Sequence, residues 1–376
     1  MIYLDNAATT RIDPIVLEAL LPFLNDKYGN ASSTTHPFGW IADEAVKRAR
    51  EEVATSIGAL PEEIVFTSGA TESINMILKG IFQSYQIKGK HIITTSIEHN
   101  AVLDTCSQLE EAGAEITYLE VDSDGLIDPV NLAAHIRPDT ILVAVMWANN
   151  ETGVIQPVSE IARVCSEKKV LFFSDATQAL GKVSINVNSI SISTMAFSAH
   201  KLYGPKGAGI LYVRRQSPSV KIKPLIAGGG QENGLRGGTL NVPAIVGAGK
   251  ACALIDLAEN EKISRFRDMI ETELTRQFDF IEVQGGKVIR LPNISNLMIR
   301  DIRASRLIAA VNSTLAISTG AACSSGSLDP SHVMLAMGLS EAEARCAIRI
   351  SLSKYTMASE IEETIDILSR AIESLH

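Results

Sequence analysis

The segment Ser198-Ala199-His200-Lys201 places a lysine beside a hydroxyl and an imidazole, after an apolar strand at residues 194–197 and before a glycine-rich run. The amine of a lysine in this position is suited to form a Schiff base with an aldehyde cofactor. The alternative is a solvated surface lysine, which fits poorly with so apolar an approach. Lys201 is therefore a candidate cofactor anchor.

A carboxylate follows an earlier apolar run, residues 170–173, which leads to Asp175 and then to Gln178. A carboxylate at this place can keep a pyridinium nitrogen protonated, so that the ring accepts electrons from a substrate carbanion. The alternative for Asp175 is a helix cap. Lys201 and Asp175 together indicate pyridoxal 5'-phosphate as the cofactor.

A phosphate group needs a cradle, and residues 68–72 (Ser-Gly-Ala-Thr-Glu) lie where a strand turns into a helix. The backbone N–H groups near Ala70 and the Thr71 hydroxyl would face an anion there, at the positive end of the helix. The alternative is that Thr71 is only the N-cap of that helix.

Further polar residues follow other predicted strands. His99 is placed to stack on a ring and to transfer protons, or it is simply structural. Asn149 and Asn150 either contact substrate or cofactor, or only complete a turn.

The cysteines divide into one loop thiol and four others. Cys323 lies in a run rich in Ser, Gly and Ala, where a thiol is better placed to act as a travelling nucleophile than to pack. The other four fall in helical patterns, which predicts buried and inert thiols. Five cysteines without Cys-x-x-Cys spacing argue against a disulfide framework or a metal site, and favour a reducing, cytoplasmic location.

The composition is that of a large globular enzyme. The chain has 376 residues, of which 46% are hydrophobic and 20% charged, enough to form two domains. The net charge of −9 is spread along the sequence, so direct nucleic-acid or membrane binding is not expected, whereas a basic protein partner is still open. Neither an export signal nor an apolar run of membrane-spanning length is apparent.

The predicted elements alternate between strands and helices up to about Pro243, after which long helical patterns indicate a smaller α+β domain. The alternation predicts a mostly parallel sheet covered on both faces, with ligands at the carboxyl ends of its strands. Asp13 is expected to cap a helix over residues 14–24, and Gly58 to end a helix over residues 42–57. Thr356 is expected to cap the C-terminal helix.

Several motifs match one family in order along the chain. The chain resembles the class I, NifS/IscS-type cysteine desulfurases, which are pyridoxal-phosphate enzymes of the fold-type I aminotransferase class. The resemblance rests on residues 3–10, 67–73, 98–102, 149–153, 175–178, 198–201 and 228–239, the Cys323 loop, and Arg349 within residues 348–351. It implies a large cofactor-binding domain at residues 14–247 and a small domain at residues 1–13 and 248–376 that carries the cysteine loop.

The resemblance also implies how the cofactor is bound. Lys201 would hold it covalently, Asp175 would pair with the pyridine nitrogen, Gln178 would hydrogen-bond the phenolic oxygen, and His99 would stack on the ring. The phosphate would be bound by Ala70, Thr71, Ser198 and His200, together with Thr239 from the partner subunit of a homodimer.

The substrate would be L-cysteine, with its carboxylate held by Asn150 and Arg349. Cys323 would take the sulfur as a persulfide, leave alanine, and pass the sulfur to an acceptor or scaffold protein. The acceptor is open among iron–sulfur cluster assembly, tRNA thiolation, cofactor synthesis and DNA phosphorothioation, as is cluster ligation by Cys323. The alternatives are a selenocysteine lyase, an aminotransferase, or a non-enzymatic sulfur-relay subunit, which would be expected to lack Lys201 or Asp175.

Overall fold

The chain forms an α/β structure, known from a computed structural model that describes residues 1–216, 219–319 and 329–376. The strands are β1 (Ile2–Tyr3), β2 (Ile64–Thr67), β3 (His91–Thr95), β4 (Glu115–Leu119), β5 (Thr140–Ala144), β6 (Leu171–Asp175), β7 (Thr194–Ser198), β8 (Gly209–Val213), β9 (Ile281–Val283), β10 (Ile294–Ile299), β11 (Leu315–Ala316) and β12 (Ala347–Ser351). The helices are α1 (Pro14–Leu20), α2 (Pro37–Ile57), α3 (Ala70–Tyr85), α4 (Asn100–Glu111), α5 (Pro129–His135), α6 (Val158–Lys168), α7 (Val242–Ala253), α8 (Glu259–Gln277), α9 (Ala304–Val311), α10 (His332–Ala336), α11 (Glu341–Ala344) and α12 (Ala358–Leu375).

A seven-stranded sheet in the order β2-β8-β7-β6-β5-β3-β4 forms the centre of the larger region. The pairings from β7 to β4 are parallel, and β8 alone runs antiparallel to both of its neighbours. The prediction of a mostly parallel sheet is confirmed. The reversal at β8 follows from its connection, because only a short loop without a crossover helix joins β7 to β8.

The carboxyl ends of β2, β3, β5, β6 and β7 lie at one edge of this sheet, because the five strands run in the same direction. The polar motifs predicted from the sequence follow these strands directly. One edge therefore gathers side chains that are more than 100 residues apart in the sequence.

A smaller α+β region contains the antiparallel sheet β12-β10-β9, packed with α8, α9 and α12. Its apolar core is separate from the two clusters that cover the faces of the seven-stranded sheet. The N-terminal strand β1 joins this region by pairing with β11, and Leu4 lies in its core. The first residues of the chain therefore run beside the last strand, β12.

Several predicted boundaries are wrong. Helix α1 ends at Leu20, and a 3₁₀ turn replaces its last residues. Helix α2 begins five residues earlier than predicted, because the His36 ring accepts from the Gly39 N–H and Pro37 takes the first helical position. Met357 and not Thr356 precedes α12. Asp13 and Gly58 cap α1 and α2 as expected.

Candidate active site

A cavity of about 420 Å³ opens at the carboxyl edge of the seven-stranded sheet. It is lined by ten of the candidate residues: Ala70, Thr71, His99, Asn150, Asp175, Gln178, Ser198, His200, Lys201 and Arg349. Thr239 does not line it, and Cys323 lies outside the described residues. The sheet edge therefore brings together the side chains that the sequence placed after separate strands.

Lys201 points into this cavity from a 3₁₀ turn that directly follows β7. Its Nζ donates to the carbonyl oxygens of Ala7 and Ala8, at 2.6 and 2.5 Å. These carbonyls belong to the N-terminal segment, which crosses over the end of the sheet. The reading of Lys201 as a solvated surface lysine is wrong, since its amine is held inside the cavity.

Asp175 ends β6 with its side chain buried, and its Oδ1 accepts from the Thr177 N–H at 3.0 Å. No helix follows it, so its reading as a helix cap is wrong. Gln178 donates from Nε2 to the carbonyl oxygen of Ala7, whereas its buried Oε1 has no partner among the described residues. A buried polar atom without a partner is costly, which indicates that the site is built around a polar group.

The N-terminus of α3 faces the cavity through Ala70 and Thr71. Its N-cap is Gly69, which offers no side chain to the first N–H groups, so the reading of Thr71 as the N-cap is wrong. Glu72 instead accepts from the Ser68 N–H at 2.8 Å and pairs with Arg236. The α3 N–H groups are thus left for an anion at the positive end of a 16-residue helix.

Ser198 and His200 complete this side of the cavity from β7 and the turn that follows. The His200 Nδ1 lies 3.1 Å from the Thr9 hydroxyl. Burial, then the nearby charges of Lys201, Lys206 and Lys182, lower the pKa of His200 to about 4. The ring is therefore neutral near pH 7 and would bind an anion as a hydrogen-bond donor.

His99 has two roles in the fold, since it lines the cavity and also caps α4. Its Nδ1 accepts from the Ala101 N–H at 3.1 Å, which leaves the proton of the neutral ring on Nε2. The structural reading of His99 is correct as far as the cap is concerned. The same bond fixes which nitrogen can exchange a proton inside the cavity.

Arg349, on β12 of the smaller region, also lines the cavity. It is 1% exposed, donates from Nη1 to the Asn150 carbonyl oxygen at 2.9 Å, and pairs through Nη2 with Asp5 at 2.8 Å. Its buried Nε has no partner among the described residues. The neighbouring Asn149 organises the turn instead, by accepting from the N–H groups of Glu151 and Thr152.

Sequence reasoning missed Asp5 and two buried carboxyl groups, Glu98 and Glu151. Burial and the nearby Asp175 carboxylate raise the pKa of Glu98 to about 8, although its Oε1 accepts from the Met146 N–H at 2.7 Å. Burial also raises the pKa of Glu151, which accepts from Ser331 at 2.6 Å. The only sequence signal was position, because Glu98 directly precedes His99 and Glu151 follows Asn150.

The four cysteines outside the loop are buried: Cys106, Cys165, Cys252 and Cys346. Burial raises the pKa of each thiol, to about 12 for the first three. Cys346 had been expected to lie in a helix, but it lies immediately before β12. None of the four has the thiolate character that a nucleophile requires.

Two ion pairs fix the segment that carries Thr239 to its own chain. Glu232 forms a bidentate ion pair with Arg50 at 2.6 and 2.9 Å, and Arg236 pairs with Glu72. Thr239 itself is exposed. Thr239 therefore does not line the cavity of its own chain.

These features fit pyridoxal 5'-phosphate. The uncapped α3 N-terminus and neutral His200 suit a phosphate, the carboxylate of Asp175 suits a ring nitrogen, and the second N–H of the Gln178 amide, besides the one donated to Ala7, suits an oxygen on the ring. In the described part of the chain no group of acidic, histidine or cysteine side chains is arranged to hold a metal, and no helix has the length and apolar character to cross a bilayer.

Comparisons with known proteins agree with this geometry. Residues 2–364 match the family described as aminotransferase class-V. The chain is 47% identical over 377 residues to the cysteine desulfurase IscS of Anaeromyxobacter sp. (strain K), covering 100% of this chain and 93% of that protein. A NifS-like protein has a similar structure, with a TM-score of 0.91 and 40% identity, covering 100% of this chain and 99% of the other. The structure of SspA in complex with cysteine is also similar, with a TM-score of 0.84 and 39% identity, covering 95% of this chain and 100% of the other.

Proposed function

The chain belongs to the aminotransferase class-V family and is a pyridoxal-5'-phosphate-dependent cysteine desulfurase, and from this premise we propose a role for each residue of the cavity. The observation that carries the proposal is the single cavity that gathers an amine, a carboxylate, an anion-binding helix end and a buried guanidinium. L-Cysteine is the substrate, and its sulfur leaves on Cys323.

Lys201 anchors the cofactor, and the bound cofactor supplies an electron sink that weakens bonds at the substrate carbon atoms. Asp175 keeps a positive charge on the nitrogen of the ring, which its buried carboxylate stabilises by Coulomb attraction. Gln178 binds the phenolic oxygen. The phosphate is bound by Thr71, Ser198, His200 and the N–H of Ala70. The lowered pKa of His200 supports this role, because it makes the ring a neutral hydrogen-bond donor.

His99 transfers protons through Nε2. Because Nδ1 is occupied by the Ala101 N–H, the ring cannot turn over without losing the cap of α4. The imidazole is thereby held in one orientation, which is what proton transfer at a defined atom requires.

Arg349 and Asn150 bind the substrate carboxylate. The guanidinium is buried and oriented by two acceptors, which leaves its Nε–H and the second N–H of each terminal nitrogen for the substrate carboxylate. An amino acid held here has its carboxylate at the smaller region and its amino group toward Lys201.

Cys323 takes the substrate sulfur as a persulfide and passes it to an acceptor protein. The raised pKa of the other four thiols supports this assignment, because none of them forms a thiolate near pH 7. The same free thiols favour a reducing location, which we take to be cytoplasmic.

We also propose a homodimer in which Thr239 reaches the phosphate of the partner subunit. The support is its exposed position outside its own cavity, and a group of exposed apolar residues near the N-terminus that a second copy would cover: Leu21, Leu24, Tyr28, Phe38 and Trp40.

Of the two domains, the larger extends past residue 247 to the end of α7, because Ala248, Ala251 and Cys252 pack in its core.

The test is a product balance combined with mapping of the anchor. Purified protein supplied with L-cysteine and a thiol reductant should release alanine and sulfide in equal amounts. Borohydride reduction followed by peptide mapping should place the cofactor on Lys201, with Lys206, which lines the same cavity, as the internal control. Transamination without sulfide, or labelling at Lys206, would refute the assignment.

A further inference from the structure

Lys182 is a second lysine close to Lys201, and the roles proposed above do not use it. It lies on the turn that leaves β6 after Asp175 and Gln178, and its side chain is half-buried. A narrow second cavity between the two regions of the chain is lined by Lys182 and Lys201 together. Lys201 therefore lies between the cofactor cavity and a second cavity that contains another amine.

The two lysines are joined by a hydrogen bond, in which the Lys182 Nζ donates to the carbonyl oxygen of Lys201 at 3.1 Å. The Lys182 backbone is fixed from the other side, because Asn260 on α8 donates to its carbonyl oxygen at 3.0 Å. Gly181 packs so closely on Leu202 that an added Cβ would lie 2.2 Å from its Cδ1. The turn after β6 is thus locked onto the turn that carries Lys201.

Charged groups of both signs surround this pair. Asp13, a carboxylate that lines the second cavity, is already engaged by Lys354 and Tyr355, each at 2.7 Å. Burial and the charge of Lys201 lower the pKa of Lys182 to about 7. The charged and titratable groups that face the pair from neighbouring elements are Asp13, Asp175, His200, Tyr203, Lys206, Asp256, Glu259 and Lys354.

We propose that Lys182 is a positioning residue for the cofactor anchor: it holds the backbone of Lys201 through the carbonyl bond, and its ammonium disfavours a positive charge on the Lys201 nitrogen. Coulomb repulsion between two cations is mutual: the charge of Lys201 disfavours the ammonium of Lys182, and the ammonium of Lys182 therefore disfavours a charge on Lys201. A neutral amine is the form that reacts with an aldehyde. The inference rests on Lys201 as the anchor.

A purely structural role for Lys182 would predict a different result. A packing lysine contributes through its methylene groups, and replacement by methionine would then preserve the behaviour of Lys201. A charge effect instead depends on the ammonium and is retained by arginine. The two readings differ in the pH dependence of the Lys201 nitrogen.

The experiment is a pH titration of the visible absorbance of the holoenzyme in the variants Lys182→Met, Lys182→Gln and Lys182→Arg. Lys182→Met and Lys182→Gln should move the midpoint upward by about one pH unit, since one nearby positive charge is removed. Lys182→Gln keeps a donor for the Lys201 carbonyl, which guards against misfolding. Lys182→Arg should stay near the wild-type midpoint.

Lys250→Met, at another half-buried lysine on α7, is the matched control and should leave the midpoint unchanged. An unmoved midpoint in a folded Lys182→Met or Lys182→Gln protein would overturn the inference. Borohydride mapping on the same samples separates the two proposals. Labelling at Lys201 with an unmoved midpoint refutes only the role of Lys182, whereas labelling elsewhere refutes the proposed function as well.

Discussion

Asp5 and Arg349 are 344 residues apart in the sequence, and their side chains form a 2.8 Å ion pair beside the cavity. The contact depends on the path of the N-terminal segment, which pairs with β11 through β1 and then hydrogen-bonds to Ser351 on β12. A residue at the start of the chain thus orients the guanidinium that we assign to the substrate carboxylate.

Replacing Asp5 by asparagine should weaken substrate binding more than catalysis. The guanidinium keeps the Asn150 carbonyl as an acceptor but loses its charged partner, so its orientation becomes less defined. We expect the KM for L-cysteine to rise about tenfold, with kcat changed by less than about threefold. Steady-state alanine formation measures both. Asp26→Asn, at an exposed site, is the control, and an unchanged KM in a folded Asp5→Asn protein would contradict the orienting role.

The alternation of strands and helices, and with it the cavity, was predictable from the sequence. Parallel strands bring their carboxyl ends to one edge, so residues that follow separate strands, such as Asp175 and Lys201, converge without knowledge of the strand order. The contacts of Asp5 and Lys182 were not predictable. They depend on which loops of the two regions meet, and no local pattern records that packing.

The buried state of Glu98 was also not predictable, because a charged residue after a strand reads as exposed. Its burial depends on the Met146 N–H and the Thr95 hydroxyl, which supply its hydrogen bonds. The start of α2 was predicted wrongly for a related reason. At His36 a ring nitrogen serves as the cap, a role usually taken by Ser, Thr, Asp or Asn.

Glu98 should make the stability of the protein depend on pH. Its pKa is about 8 in the folded chain and ordinarily 4.5, so the folded state binds this proton more tightly than the unfolded state does. The stabilisation that this bound proton gives to the folded state is complete below about pH 4.5 and is lost as the pH rises to about 8. Glu98→Gln keeps an oxygen to accept from the Met146 N–H, and it should therefore gain at least about 1 kcal/mol relative to wild type between pH 5 and pH 8.

Denaturant unfolding of the cofactor-free proteins at several pH values measures this gain. Glu111→Gln on α4, where the side chain is exposed, should follow the wild-type profile throughout. A Glu98→Gln protein whose stability tracks wild type from pH 5 to pH 8 would show that Glu98 is ionised in the fold.

Mixed dimers test whether Thr239 acts across the subunit interface. A Lys201→Ala chain lacks the anchor and a Thr239→Ala chain lacks the donor, so each homodimer should be inactive or strongly impaired. A heterodimer has one site with both residues intact, supplied by different chains. Random mixing makes about half of the dimers mixed, so about a quarter of the sites should recover. Recovery measured as alanine formation after refolding the two chains together supports the shared site, and full activity of an isolated monomer would refute it.

Cys323→Ser separates the sulfur chemistry from cofactor and substrate binding. Neither Lys201 nor Arg349 requires the thiol, so the variant should bind pyridoxal 5'-phosphate and change its visible spectrum when L-cysteine is added. Turnover should stop, because an alkoxide is far harder to generate than a thiolate and attacks sulfur poorly. The expected loss is several orders of magnitude in the rate of alanine formation, roughly 5 kcal/mol or more in the barrier. Cys252→Ser, at a buried thiol whose pKa is raised to about 12, should retain activity and serves as the matched control. Near-normal alanine release by Cys323→Ser would show that this cysteine is incidental, and the sulfur would then have to pass directly to the added thiol reductant, because elimination of sulfide without a thiol acceptor gives pyruvate and not alanine.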